Sequence, residues 1–163
     1  MKVVAVYILL TAFFFLIHLS VIPFLAVIHI APDVLLIWLV YIAIRRGQVV
    51  ATAGGFIIGL ILDLSGGGNG MIGLAALAKS VSGFVAGYFF NENRMFQILG
   101  GYQFVAAVGL TALVHNGLYF LIFLQGTEIG WSGALLSYAM PASMYTALLA
   151  LLPMFVFSRK FSL

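Results

Sequence analysis

Few side chains in this sequence could carry chemistry, because hydrophobic residues make up 64% of its 163 residues and charged residues only 7%. Lys79 interrupts one apolar stretch, and Asp63 ends the stretch before it. His18, His115 and Asn116 interrupt two others. In lipid, an unpaired charge costs at least about 2.5–3.5 kcal/mol, so these five residues predict a buried polar site built around an ion pair.

We expect Lys79 and Asp63 to form that pair. Helical side chains lean toward the N-terminus of their own helix, so the two residues lean toward each other on consecutive antiparallel helices. An ion pair or a hydrated cavity is favoured over extension of Lys79 to the outer headgroups. His18, Lys79, His115 and Asn116 share the outer half of the predicted bundle, either around a small external cavity or in hydrogen bonds between helices.

Small residues follow a four-residue period in the two apolar stretches that contain Asp63 and Lys79. The glycines with this spacing are Gly55, Gly59, Gly83 and Gly87. Residues four apart lie on one face of a helix, and small residues there let two backbones approach closely in lipid. We therefore expect these two helices to pack through their glycines, against each other or against their neighbours.

Six apolar stretches could cross a bilayer, so residues 1–163 predict a single transmembrane domain of the all-α class, a bundle of six transmembrane helices. The stretches cover residues 3–28, 33–44, 48–64, 71–90, 95–124 and 132–157. Pro32 and Asp33 suit a helix start, since proline loses no needed donor there and the carboxylate favours the positive end of the helix. Ser132 suits a helix cap, and Pro141 should bend the sixth helix.

The positive charges set the predicted orientation. Six of the seven basic residues flank apolar stretches: Lys2, Arg45, Arg46, Arg94, Arg159 and Lys160. If the N-terminus is cytoplasmic, six spans place all of them on the cytoplasmic side, as the positive-inside rule requires. We expect both termini in the cytoplasm, and we expect the net charge of +3 to contact lipid headgroups rather than nucleic acid.

Signatures of enzymes are weak or absent. The chain has no cysteine, which excludes disulfides and thiolate metal sites. It has no H-E-x-x-H zinc motif and no phosphate-binding loop. Residues 130–133 match the G-x-S-G pattern of rhomboid-type intramembrane proteases, but no histidine follows His115 to act as the base. We therefore expect no catalytic residue, no metal and no cofactor.

Several short motifs between residues 32 and 87 are individually common but together form a specific order. They are Pro32-Asp33 at a helix start, Arg45-Arg46-Gly47 at a turn, Gly54-Gly55-Phe56, Gly59-Leu60 and Asp63, then Gly73-Leu74 and Ala76-Leu77. In this order and spacing the block resembles the MreD family of bacterial rod shape-determining proteins. The flanking helices are similar to that family in length, hydrophobicity and order.

The resemblance implies a non-enzymatic, multi-pass protein of the bacterial inner membrane that takes part in cell elongation. Such proteins work beside MreC, a partner with one transmembrane helix and a periplasmic domain. Indirectly they link cytoplasmic MreB filaments to the enzymes of peptidoglycan synthesis. The family is also similar in fold to the substrate-binding S components of energy-coupling-factor vitamin transporters.

Two functions from different classes follow. The first is a membrane scaffold whose grooved surface binds the transmembrane helix of an MreC-like partner, which the glycine stripes and short loops favour. The second is an S-component-like transporter subunit that binds a small molecule, which the outward polar set favours.

Overall fold

The structure, a computed structural model, describes residues 2–27, 30–67, 71–125 and 127–161, with side chains placed throughout these ranges except at 66, 67, 160 and 161. It is 83% helical and contains no strand in the described ranges, which confirms the predicted all-α class. The α-helices are α1 (Lys2–Ser20), α2 (Val34–Arg46), α3 (Gln48–Leu62), α4 (Leu74–Ala86), α5 (Met95–Leu99), α6 (Tyr102–Phe123), α7 (Trp131–Ala134), α8 (Met140–Leu149) and α9 (Leu151–Phe161).

Among the described residues, four helical segments are long and apolar enough to cross a membrane. They are Lys2–Ser20, Gln48–Ser65, Tyr102–Phe123 and Trp131–Arg159. The apolar segment Leu74–Phe89 is shorter, and α2 has 13 residues, or about 20 Å of helix at 1.5 Å per residue. The chain is therefore an integral membrane protein by length and composition, while six spans with cytoplasmic termini remain a prediction.

The predicted fifth and sixth helices are interrupted. Gly100 and Gly101 separate α5 from α6, because Gly101 has an extended backbone and glycine gains little from a helical conformation. A π-helical turn, Leu135–Ala139, comes just before Pro141, which lacks the amide that would continue the regular bonding pattern. Ser132 does not cap the helix as expected: it lies inside α7, whose N-cap is Gly130 without a side-chain bond.

Helix α2 forms the centre of the bundle. Nine of its thirteen residues are buried, and its flanks contact α1, α3, α4 and α6. Helix α1 has no buried residue and contacts α2 through rings, with Phe14 lying 5.0 Å from Trp38 between ring centres. The Trp38 indole also donates to the Thr11 hydroxyl at 2.9 Å. The core thus surrounds α2, and α1 lies at its edge.

Helices α3 and α4 pack closely through glycines. A Cβ added at Gly83 would lie 2.6 Å from the carbonyl carbon of Ala51, and one at Gly59 would lie 2.6 Å from that of Ala75. An added Cβ would also overlap backbone atoms at Gly55, against Lys79, and at Gly87, against Gln48. These four positions have no room for a side chain, so α3 and α4 form a backbone-to-backbone pair.

Candidate functional site: a charged hub at Asp33

Asp33 begins α2 and connects it to α8. Its Oδ1 accepts a hydrogen bond from the Leu36 amide at 2.9 Å, which satisfies a donor in the first turn of the helix. Its own backbone amide donates to the Thr146 hydroxyl at 3.1 Å, and that hydroxyl donates to the carbonyl of Ala142. The expected helix start at Pro32 and Asp33 is therefore confirmed.

The ammonium group of Lys79 forms an ion pair and hydrogen bond with Oδ2 of Asp33. Lys79 is 1% exposed, and the Asp33 side chain is 14% exposed, so both charges are largely removed from solvent. Removing one partner of a buried pair leaves an uncompensated charge, which costs about 3–5 kcal/mol. The pair therefore fastens α4 to the start of α2.

Two histidines complete the hub. Nδ1 of His18 lies 3.8 Å from Oδ1 of Asp33, and Nε2 of His115 lies 3.6 Å from Oδ2. His18 belongs to α1 and His115 to α6. The Asp33 carboxylate thus gathers side chains from three other helices, α1, α4 and α6, and its backbone amide adds Thr146 from α8. We call Asp33, Lys79, His18 and His115 the charged hub.

The expected pair between Asp63 and Lys79 is wrong, because Asp63 has a different task. Its carboxylate accepts hydrogen bonds from the backbone amides of Gly73, Ala75 and Ala76 at 2.9–3.1 Å. The first amides of a helix need acceptors, and the N-cap of α4 is Gly73, which has no side chain to supply one. Asp63 therefore caps α4, and Lys79 pairs with the carboxylate on α2.

Asn116 lies next to the hub but bonds elsewhere. Its amide donates to the Ser143 hydroxyl at 3.0 Å, and that hydroxyl donates to the Ala139 carbonyl at 2.6 Å. This bond joins α6 to the π-helical turn and α8. Within the described ranges, the Thr111 hydroxyl and Nδ1 of His18 are buried without a hydrogen-bond partner.

The residues of the predicted family motif lie in three places: at the hub, at the turn between α2 and α3, and on one face of α3. Pro32 is buried beside Asp33. Gly47 turns α2 into α3 with a φ of +84°, which favours glycine, and Arg46 before it bonds to Tyr7. Gly54 and Phe56 lie on the side of α3 that faces away from the core of the bundle, and a Cβ added at Gly54 would meet nothing within 4 Å.

Phe56 lines an open groove of about 500 Å³ between α3 and α4, which we call the α3–α4 groove. Its lining consists of Gln48, Val49, Thr52, Ala53, Phe56, Ile57, Ser80 and Phe84. Three of the polar groups bond within the chain: Gln48 donates to the Phe84 carbonyl, Thr52 to the Gln48 carbonyl, and Ser80 to the Thr52 carbonyl. The groove is thus apolar with a polar centre, and it lies apart from the hub.

The chemistry available to the hub is electrostatic. It presents one carboxylate against one ammonium and two imidazoles, and the described residues contain no group of three or more His, Asp or Glu arranged to hold a metal ion. The sequence did not predict that Asp33 pairs with Lys79, because capping α2 already gave this carboxylate a role. Its depth could have indicated the pair, since a carboxylate at the outer start of a helix lies at the depth expected for the Lys79 ammonium.

Comparison with known proteins gives one result. No curated protein and no solved structure matches the chain. The model of one protein family, described as rod shape-determining protein MreD, matches residues 1–161 of the 163. Because this match covers nearly the whole chain, including the hub and the groove, the chain belongs to the MreD family.

Proposed function

We propose that this protein is a non-enzymatic scaffold of the bacterial inner membrane that holds an MreC-like single-span partner within the cell-elongation machinery. Membership of a rod shape-determining family fits a cell-shape role. The α3–α4 groove carries the proposal further, because it offers a polar-centred surface to the membrane. In this proposal both termini are cytoplasmic, and the protein contacts MreB filaments and peptidoglycan synthases only indirectly.

The groove has a rigid floor. Gly59 and Gly83 bring the backbones of α3 and α4 into direct contact, Asp63 caps the start of α4, and Lys79 ties its middle to Asp33. A surface with a fixed shape loses little conformational entropy when it binds another helix. The pair α3–α4 therefore suits a docking platform.

The lining suits a transmembrane helix better than lipid chains. Thr52 and Ser80 contribute hydroxyl groups to the groove, and the small side chain of Ala53 leaves space for a close backbone approach. Helices in membranes associate through small residues and through hydrogen bonds of this kind. Phe56, at one side, would pack against the arriving helix.

Disulfide crosslinking tests the proposed interface, because the chain contains no native cysteine. Ala53→Cys lies in the groove, and Leu148→Cys lies on an exposed position of α8 as a matched control. Each is expressed in cells with single cysteines placed along the transmembrane helix of the MreC-like partner. We expect Ala53→Cys to crosslink only to partner positions that lie on one face of the partner helix, and we expect no crosslink to Leu148→Cys.

Equal crosslinking at both positions, or crosslinking at Leu148→Cys alone, would remove the groove as the interface. Depletion gives an independent test of the wider role. Rod-shaped cells should become round when the protein is depleted, and the partner should co-purify with it in mild detergent. If depleted cells stay rods and no partner co-purifies, the scaffold proposal fails.

A second candidate is a small-molecule-binding transporter subunit. The observation in its favour is that the Thr111 hydroxyl and Nδ1 of His18 are buried without partners near Lys79 and His115, where a polar solute could satisfy them. Native mass spectrometry of the protein purified from cells distinguishes the two candidates. A stoichiometric small molecule that is lost on Lys79→Met would favour the transporter candidate over the scaffold.

A further inference from the structure

Two guanidinium groups at the end of α2 are held in place by aromatic rings. Cζ of Arg45 lies 5.9 Å from the centre of the Tyr41 ring and 5.6 Å from that of Phe96. Cζ of Arg46 lies 4.9 Å from the centre of the Tyr7 ring, and its Nε donates to the Tyr7 hydroxyl at 3.2 Å. Arginine on an aromatic face is pre-organised, so it loses less freedom when it binds a ligand.

The rings are themselves fixed by a stack that crosses three helices. Tyr41 lies between Trp38, at 5.1 Å between ring centres, and Phe157, at 5.4 Å, with interplanar angles of 16° and 11°. Tyr7 lies 5.9 Å from Trp38. These contacts join α1, α2 and α9, so the positions of both arginines follow from the packing of the bundle.

The positive charge of this pair is not balanced inside the chain. In the parts that the structure describes, no carboxylate oxygen lies within 4.0 Å of Arg45 or Arg46, and the ion pairs found there all involve Asp33. Arg46 uses one N–H on Tyr7, and Arg45 donates no hydrogen bond to a described residue. A guanidinium fork with free donors matches the oxygens of a phosphate group.

The pair lies at the depth of a membrane interface. Gly87 lies against Gln48, directly after Arg46 and Gly47, so the end of α4 is at the same level as the arginines. Tyr88, next in the chain, is 73% exposed there, and exposed tyrosines are typical of the headgroup region. This depth favours a lipid headgroup over a cytoplasmic peptide as the ligand.

We propose that Arg45 and Arg46 form a binding site for the phosphate of an anionic phospholipid. The stacked rings orient the two guanidinium groups, and the headgroup phosphate accepts their free N–H donors. The site differs from ordinary attraction of basic residues to the membrane because it depends on the shape and stacking of arginine. Lysine at both positions would keep the charge and weaken lipid binding.

Native mass spectrometry of the full-length protein in a neutral detergent tests the proposal, with phosphatidylglycerol as the probe and phosphatidylcholine as the reference lipid. The double variant Arg45→Lys/Arg46→Lys preserves charge and therefore membrane orientation. We expect it to bind phosphatidylglycerol about tenfold more weakly, because losing the stacking of each arginine on its rings should weaken binding about threefold. Arg46→Lys alone, at an exposed position, should lose about threefold.

Arg94→Lys is the matched control, because Arg94 is an exposed arginine in the turn after α4. It should bind phosphatidylglycerol as the unaltered protein does. Equal affinity for the two lipids would overturn the site, as would unchanged binding by the double lysine variant or an equal loss in Arg94→Lys. Displacement of the lipid by millimolar inorganic phosphate would assign the site to a free anion and overturn the lipid as its ligand.

Discussion

The pairing of Asp33 with Lys79 makes a prediction that separates it from the pairing expected from the sequence. Lys79→Met removes the charge and keeps most of the length of the side chain. Asp33→Asn removes the opposite charge and keeps an oxygen that can cap α2. If the structure is right, these two substitutions are coupled, and substitution of Asp63 is independent of Lys79.

The two single substitutions should differ in cost because the partners differ in burial. Asp33→Asn leaves an ammonium that is 1% exposed beside His18 and His115, and we expect it to cost about 4 kcal/mol. Lys79→Met leaves a carboxylate that is 14% exposed and still bonded to the Leu36 amide, so about 3 kcal/mol is expected. The double variant leaves neither charge unpaired and should cost less than Asp33→Asn alone, which gives a coupling of about 3 kcal/mol or more.

Reversible unfolding in mixed micelles, with helicity as the signal, measures all four corners of this cycle. The control cycle pairs Asp63→Asn with Lys79→Met, whose effects should add within about 0.5 kcal/mol. Coupling of less than about 0.5 kcal/mol between Asp33 and Lys79 would refute the hub. Coupling of Asp63 with Lys79 as large as that predicted for Asp33 would restore the pairing expected from the sequence.

Three further predictions follow from the packing of α3, α4 and α8. Gly83→Ala should destabilise the protein by about 1–3 kcal/mol, because its Cβ would lie 2.6 Å from the carbonyl carbon of Ala51. Gly54→Ala, which has open space around it, should be neutral or stabilising. Thermal unfolding in detergent compares the stability of the two variants. Asp63→Ala should cost about 2 kcal/mol and increase hydrogen exchange at the first amides of α4, which lose their acceptor. Thr146→Val should cost about 1 kcal/mol by the same unfolding assay and expose the Asp33 amide to exchange, since it removes the acceptor at 3.1 Å.

The sequence predicted local features well where a residue type has one dominant structural role. Asp33 after Pro32 indicated a helix start, and the structure begins α2 there. The four-residue spacing of glycines indicated close helix faces, and the backbones of α3 and α4 meet at those positions. In both cases the cause is local: a cap needs an acceptor at a fixed offset, and close packing needs the absence of a side chain.

Partner choice was not predictable in the same way. Lys79 lies at a similar depth to two carboxylates, and the chain order favoured Asp63 because it lies on the adjacent helix. What decides between them is the need of α4 for an N-terminal acceptor, which appears only once Gly73 is known to be its N-cap. Which of two carboxylates pairs with a lysine depends on the three-dimensional arrangement of the helices. Sequence periodicity alone therefore indicates the possible partners but does not choose between them.

The breaks in the later helices escaped prediction for a related reason. Hydropathy is continuous through Gly100 and Gly101, so a single helix over residues 95–124 was expected. Two successive glycines disfavour a continuous helix, and packing favours glycine here as well, since a Cβ added at Gly100 would lie 3.2 Å from Cα of Ser158 where α5 meets α9. A uniform apolar pattern therefore does not locate such a break.

The hub also explains how a helix without buried residues keeps its place. Water drives apolar surfaces together, but lipid chains are as apolar as α1, so burial supplies little force to hold it against α2. Its position then depends on polar contacts: the approach of His18 to the Asp33 carboxylate at one end, the hydrogen bond from the Trp38 indole to Thr11 in the middle, and the hydrogen bond from Arg46 to Tyr7 at the other. Three contacts spaced along one helix fix both its rotation and its height. The buried charges of the hub thus contribute registry, which apolar packing in a membrane cannot supply by itself.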